Sequence, residues 1–385
     1  MNNFTFYNPV KIVFGESVIN KLPELLPSNK KVLMCYGSGS IKKNGLYNNL
    51  KTLLKNVDLY EFGGIMPNPE IEYLQKAVDI CKQEKIDFIL AVGGGSVIDA
   101  SKFISVAAKS NSTSEDILKG KSTIEKAVPL GTVLTMPATG SEMNPAAVLS
   151  ISRTKEKLVF VNENVFPKFS VIDTDIFKTL PKEQIANGIV DAFVHVCEQY
   201  VTYPANAKIQ DAISEAVLRT LIEDGSKVFS GSYTSDNMKN FAWATTTALN
   251  GSIAAGTPQD WLIHLIGHEI TALHGLAHAR SLAVVLPSYY YMFSAQKREK
   301  LLAMAKNVWK IKINDENEAT FETIKQIQKF FNSLNVSTNL ADYNIDAEQL
   351  ALEIKHRFET RKWLKLGEKA NISPNDVFEI IRKSH

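Results

Sequence analysis

The chain has 385 residues and a formal net charge of +2, with 45% apolar and 22% charged residues. That length admits two domains or one large one, and so even a charge balance argues against a nucleic-acid or membrane surface. Three scattered cysteines, Cys35, Cys81 and Cys197, make neither a disulfide framework nor a Cys-x-x-Cys metal site, and read as small buried hydrophobes of a reducing compartment.

From the N-terminus, MNNFTFYNPVKIVF lacks the basic-then-apolar order of a signal peptide. No later run approaches the roughly 18 apolar residues of a membrane span. A cytoplasmic protein is the expectation. Short apolar runs then predict strands at 31–37, 57–62, 88–95, 128–137, 146–152, 157–162 and 169–173. Helical periodicity lies among the first of them, at 45–54, 70–84 and 97–108. This strand–helix alternation points to βαβ units and a mostly parallel sheet, with a hairpin among the later, closely spaced strands. After KTLPKEQ the strand signals stop. Helical patterns follow near 184–202, 207–228, 237–255, 259–274, 296–310, 317–334 and 347–362. The expected organisation is an α/β domain over 1–182 and an all-helical domain over 183–385, with a ligand in a cleft.

Three loops follow strands. AVGGGSVIDASK opens a helix after Gly93, Gly94 and Gly95, so backbone N–H groups can meet a phosphate closely. It is neither a Walker A loop nor Gly-x-Gly-x-x-Gly. Asp99 lies one turn past Ser96 and suits the helix N-terminus. The second loop, YGSGSIKKNG, has Gly37, Ser38, Gly39 and Ser40, then Lys42 and Lys43, and no acid. A carboxylate there would bind a ribose 2′-OH and repel a 2′-phosphate, so its absence favours NADP(H) over NAD(H). The third, MPATGSEMN, supplies Thr139, Ser141 and Asn144.

Four of the seven histidines fall in HLIGHEITALHGLAH, residues 264–278. His264 and His268 share a helix face, as Asp191 and His195 do in DAFVH. HEITA is not the His-Glu-x-x-His protease motif, because Ala272 stands where the second histidine belongs. Several imidazoles with a carboxylate suit a borderline divalent ion: Fe²⁺, Zn²⁺ or Ni²⁺. His356 and His385 read as surface residues.

GGGSVIDASK, PATGSE, DAFVH and HLIGHEITALHGLAH occur in the order of the iron-dependent (group III) alcohol dehydrogenases, which the chain resembles over nearly its whole length. The longer segments YGSGSIKKNGLY, ANGIVDAFVHVCEQYVT and GHEITALHGLAHARSLAVVLP look most like the NADPH-dependent aldehyde reductases and butanol dehydrogenases of that family. The resemblance implies an N-terminal dinucleotide-binding α/β domain and a C-terminal all-α metal-binding domain, the dehydroquinate synthase-like fold. It implies Asp191, His195, His264 and His278 as metal ligands, with His268 beside the nicotinamide. Gly94, Gly95, Ser96 and Asp99 would hold the pyrophosphate and ribose. Asn68, Thr135, Thr139, Asn144 and Lys157 would line the cofactor cleft, and Gly37, Ser38, Gly39 and Ser40 would meet the 2′-phosphate. His274 is left as a structural or pocket-edge residue.

The expected reaction is hydride transfer between NADP(H) and a small apolar aldehyde or primary alcohol, with the ion as Lewis acid and His268 on the proton route. Phe193, Trp243, Trp261 and Leu262 are candidates to meet the apolar tail. An NAD-dependent polyol dehydrogenase, a dehydroquinate-synthase-like lyase and a non-catalytic metal-binding protein are the weaker readings. The lyase would need basic side chains for a phosphate and a carboxylate. A homo-oligomer, preferably a dimer, is expected through an N-terminal edge strand formed by NFTFYNP and KIVFG.

Overall fold

A computed structural model describes residues 1–384; His385 lies outside the described residues. The chain forms two compact units, one of Tyr7–Pro181 and one of Lys182–His385 together with Met1–Phe6.

The first unit holds eight strands: β1 Lys11–Gly15, β2 Lys31–Gly37, β3 Asp58–Ile65, β4 Phe88–Gly93, β5 Leu130–Leu134, β6 Ala146–Ile151, β7 Glu156–Val161 and β8 Phe169–Asp173. Six form one parallel sheet in the order β1-β8-β5-β4-β2-β3, while β6 and β7 pair as an antiparallel hairpin. β4, β5 and β8 are buried along their whole length. That is why they read as unbroken apolar runs rather than alternating ones. Helices α1 Leu46–Leu53, α2 Ile71–Gln83 and α3 Gly95–Ala107 make the crossovers. The chain steps outward from β2 to β3, then returns to the other side of β2 with β4. The β2/β4 junction is therefore the switch point of the sheet, where ligands of such folds sit beyond the strand C-termini. The loops after Gly37 and Gly93 both leave from it.

The N-terminal segment corrects an expectation. Only Lys11–Gly15 is a strand, paired with β8 at a sheet edge, and NFTFYNP pairs with no strand. Pro9 has no N–H to give to a ladder, and the Asn8 side chain is turned to the Met143 carbonyl at 2.9 Å. Met1–Phe6 cluster with the helical unit, where the Asn2 N–H donates to the Gly256 carbonyl at 2.9 Å.

The helical unit is built on α4 Lys182–Tyr200, α5 Lys208–Thr220, α6 Ser235–Ala248, α7 Leu262–His274, α8 His278–Met292, α9 Ser294–Met304, α10 Glu316–Ser333, α11 Ala347–Thr360 and α12 Pro374–Arg382. α4 is buried almost all round, from Ile185 to Tyr200, and forms the centre of the unit. α8 falls in the gap between the expected helices at 259–274 and 296–310. Its Pro287 and three consecutive tyrosines, Tyr289–Tyr291, obscure a helix that burial from Ser281 to Tyr290 nevertheless stabilises. No helix among the described residues is long and apolar enough to cross a membrane. Cys35, Cys81 and Cys197 are buried and unpaired with one another, and burial pushes the Cys81 thiol up to about 12.

Candidate metal centre and cofactor loops

α7 begins abruptly. Trp261, just before it, has φ 64, a left-handed conformation costly for a bulky side chain. The Asp260 carboxylate accepts from the Leu262 N–H at 3.3 Å. The helix ends at Gly275, φ 68, the usual left-handed stop. A three-residue link then starts α8 at His278. At Gly267 an added Cβ would stand 2.6 Å from Leu282, so the glycine lets α7 and α8 lie close together. That approach, with the Thr271–Ser281 hydroxyl contact at 3.1 Å, brings His278 to the α7 histidines.

Asp191, on α4, is the hub. Its Oδ1 lies 3.9 Å from His195 Nε2, 4.0 Å from His264 Nε2 and 3.9 Å from His278 Nε2. Those gaps are too long for hydrogen bonds, and two metal–ligand bonds of about 2.0–2.2 Å can bridge them. Asp191 Oδ1 is buried with no hydrogen-bond partner among the described residues, an arrangement costly in a dry interior unless something else fills it. The ligand atoms of Asp191, His195 and His264 lie within 4.8 Å of one another. Burial pushes His195 down to about 4, against the pull of Asp191, so its imidazole is neutral as a metal ligand must be. The residues fit a divalent ion. A second carboxylate, Glu198, stands behind His264. Burial pushes it up to about 8, opposed by the Ile263 and His264 backbone N–H groups.

His268 is buried beside this set, its ring 6.1 Å from His264 and 5.0 Å from His278 between centroids. His274 ends α7, exposed, and with Glu183, Arg280 and Tyr343 lines a cavity of about 390 Å³. His356 is exposed. Of the apolar-tail candidates, Trp261 alone is against the metal set, its ring 5.4 Å from His264 and 6.2 Å from His195. Phe193 and Leu262 are fully buried. Phe193 packs on Phe330, Phe331 and Trp309, because its place on α4 faces the helical core. Trp243 is 42% exposed.

In the α/β unit, Gly37 closes β2, exposed Ser38 and Ser40 follow, and Gly39 takes φ 145 at the start of a helical turn. At Gly95 a Cβ would come 2.5 Å from Thr139, so this backbone must be glycine for the third loop to approach the first. Ser96 is half-buried in the first turn of α3. Asn68 is half-buried with φ 54, and Thr135 donates its N–H to the Gly93 carbonyl at 3.0 Å. Asp99, Asn144 and Lys157 are buried.

Asp99 has structural work that the sequence did not disclose. One oxygen accepts from Ser141 at 2.6 Å and the other from the Val148 N–H at 2.9 Å. Beside it the fully buried Lys102 donates to Ser141 Oγ at 2.9 Å, Asn144 Oδ1 at 3.1 Å, and the carbonyls of Asn144 at 2.8 Å and Ala146 at 2.7 Å. Lys102 was not singled out in the sequence. The available signal was DASK, which puts it one turn from Asp99 on α3.

The chain resembles known proteins over nearly its whole length. Residues 9–174 match the family described as iron-containing alcohol dehydrogenase, and residues 185–385 match its C-terminal domain. The chain is 46% identical over 376 residues to the NADPH-dependent aldehyde reductase YqhD of Escherichia coli, covering 97% of each. It is 39% identical over 355 residues to the probable NADH-dependent butanol dehydrogenase 1 of Bacillus subtilis, covering 91% of this chain and 92% of that one. The crystal structure of E. coli K-12 YqhD superposes with a TM-score of 0.97 at 44% identity, over 100% of this chain and 99% of that one.

Proposed function

We propose, from the premise that this chain belongs to the iron-containing alcohol dehydrogenase family, that it reduces small apolar aldehydes with NADPH at a divalent-metal centre in the cytoplasm. The chain is an oxidoreductase of the alcohol dehydrogenase and aldehyde reductase type. The observation carrying the metal part is the buried, unpartnered Asp191 Oδ1 faced by three imidazole nitrogens.

Asp191, His195, His264 and His278 would hold the ion, Fe²⁺ or Zn²⁺, with Ni²⁺ also compatible with the donor set. Bound there, it supplies Lewis-acid stabilisation of the negative charge that builds on a carbonyl oxygen as hydride reaches the carbon. The resulting alkoxide needs a proton. His268, an imidazole outside the ligand set but beside it, is assigned to the proton route. Trp261 supplies an apolar wall beside the ligands.

For the cofactor, Gly94, Gly95, Ser96 and the start of α3 suit a pyrophosphate. Asn68, Thr135, Thr139 and Lys157 are assigned to its surroundings, while Asp99 and Asn144 shape the loops. NADPH is favoured because no acid follows β2 at Gly37–Ser40. Of the two carboxylates on the facing strand, Asp58 lies at its N-terminal end, opposite Lys31, and Glu61 is engaged by Lys51 at 2.8 Å, Tyr47 at 2.9 Å and Tyr36 at 3.1 Å. Relatives named for each cofactor make this choice the part to test first. Oxidation of NADPH and NADH at 340 nm with butanal, on protein stripped of metal and reloaded with Fe²⁺ or Zn²⁺, decides it. Metal-dependent NADPH oxidation with little NADH turnover is expected. Preference for NADH would overturn the cofactor assignment, and no turnover with either would overturn the aldehyde reading.

We assign the oligomer, preferably a dimer, to the free edge of β1, the only part of the N-terminal segment that is a strand. Elution at the monomer mass of 42.8 kDa in size-exclusion chromatography would refute it.

A further inference from the structure

Glu198 is outside the proposed ligand set, yet it makes the most specific contacts around it. It stands three residues past His195 on α4, and its side chain is 1% exposed. Oε1 accepts the backbone N–H of Ile263 at 2.6 Å and of His264 at 3.3 Å. Oε2 lies in hydrogen-bond contact with His264 Nδ1. The same imidazole turns its Nε2 towards Asp191. His195 differs, for its buried Nδ1 meets no acceptor among the described residues.

We propose that Glu198 is a positioning residue that holds His264 in the tautomer protonated at Nδ1, leaving the Nε2 lone pair for the ion, and thereby sets metal occupancy. This rests on the metal reading above. An imidazole ligates through its unprotonated nitrogen, and the partner of the other nitrogen decides which one that is. A carboxylate can accept all three N–H groups, the two from the backbone and the one from the ring. It also fixes the ring against the first turn of α7, so that one side chain sets the tautomer, the ring plane and the start of the helix.

Glutamine tests this with almost no change of shape, because an amide has one acceptor oxygen. If that oxygen keeps the backbone N–H groups, the amide NH₂ faces Nδ1 and selects the tautomer protonated at Nε2, which cannot ligate. If the amide is reversed, its NH₂ confronts two backbone donors. Only the reversed arrangement leaves Nε2 free, so metal binding must carry the cost of setting the NH₂ against the Ile263 and His264 N–H groups.

The experiment uses full-length protein with ¹⁵N-labelled histidine, metal-free and in mildly alkaline buffer. Long-range ¹⁵N–¹H spectra read the His264 tautomer, with His264→Ala assigning the signal. Zn²⁺ affinity is measured by chelator competition, and thermal unfolding is followed without metal. Expected in the wild type is protonation at Nδ1. Expected for Glu198→Gln is protonation at Nε2 and Zn²⁺ affinity lower by about 10- to 100-fold, with the metal-free unfolding temperature within a few degrees of wild type. Glu198→Asp, which keeps the carboxylate, is expected to lie between the two in affinity and to keep the wild-type tautomer. Unchanged Zn²⁺ affinity in Glu198→Gln, or a wild-type His264 protonated at Nε2, would overturn the proposal. So would an affinity loss matched by a collapse of the metal-free unfolding temperature, since that is the mark of a merely structural role. Failure of the wild type to bind Zn²⁺, Fe²⁺ or Ni²⁺ would instead refute the metal reading, and the metal-free tautomer would still decide what Glu198 does to His264.

Discussion

Each unit buries a cluster of charged and polar side chains, and the two clusters end differently. In the α/β unit, Lys102, Asp99, Ser141 and Asn144 close on one another: the ammonium meets four oxygens and the carboxylate meets two donors. In the helical unit, Asp191 meets three imidazoles and bonds to none, and neither Asp191 nor Glu198 has a lysine or arginine hydrogen-bond partner among the described residues. A closed cluster satisfies itself and fixes a loop. An open one is stable only with something added, because an unpaired buried charge costs several kcal/mol. The open end marks the chemistry, and the closed cluster marks the scaffold.

The sharpest way to break this contrast is at Asp191. Asp191→Ala should abolish metal uptake, read by elemental analysis, and lower aldehyde reduction by about 10³- to 10⁴-fold, the value of several kcal/mol of Lewis-acid stabilisation. Next comes Lys102→Met, which strands Asp99 and should cost about 3–5 kcal/mol in denaturant unfolding. Metal content should stay at the wild-type level, and a parallel loss of metal would erase the distinction between the clusters. His268→Ala should reduce turnover by about 10²-fold with full metal occupancy. An equal loss of bound metal would move His268 into the ligand set. The last effect, confined to alkaline pH, is on stability. Burial pushes the Lys102 ammonium down to about 8, with Asp99 and Glu142 pulling the other way. Above that pH the unfolded chain, with an ordinary lysine near 10.5, binds more protons than the folded one. Stability from this group therefore rises with pH from about 8 to 10.5. The difference between wild type and Lys102→Met should grow by about 3 kcal/mol across that window. A flat difference would show that Lys102 titrates elsewhere.

What the sequence disclosed follows the same divide. The strands, the change to helices near Lys182 and the density of histidine over 264–278 were legible because local pattern carries them. Lys102 and Glu198 were not, for their partners lie about 40 and 65 residues away: Ser141 and Asn144 for the first, Ile263 and His264 for the second. No spacing rule connects such pairs. Phe193 went the other way, since sequence nearness to Asp191 says nothing about which face of α4 a side chain takes. α8 was hidden by Pro287, a residue whose local meaning is overruled by burial.

Trp261 has an optical consequence. Its left-handed backbone holds the indole 5.4 Å from the His264 ring. An emitter so placed is an internal gauge of what sits among the imidazoles. Closed-shell Zn²⁺ has no low-lying electronic states to accept its excitation, whereas open-shell Fe²⁺ does. The same protein filled with each ion should therefore glow differently in the near ultraviolet, and Trp261→Phe should remove that difference. The identity of the resident metal could be followed by light emission in solution, without opening the site.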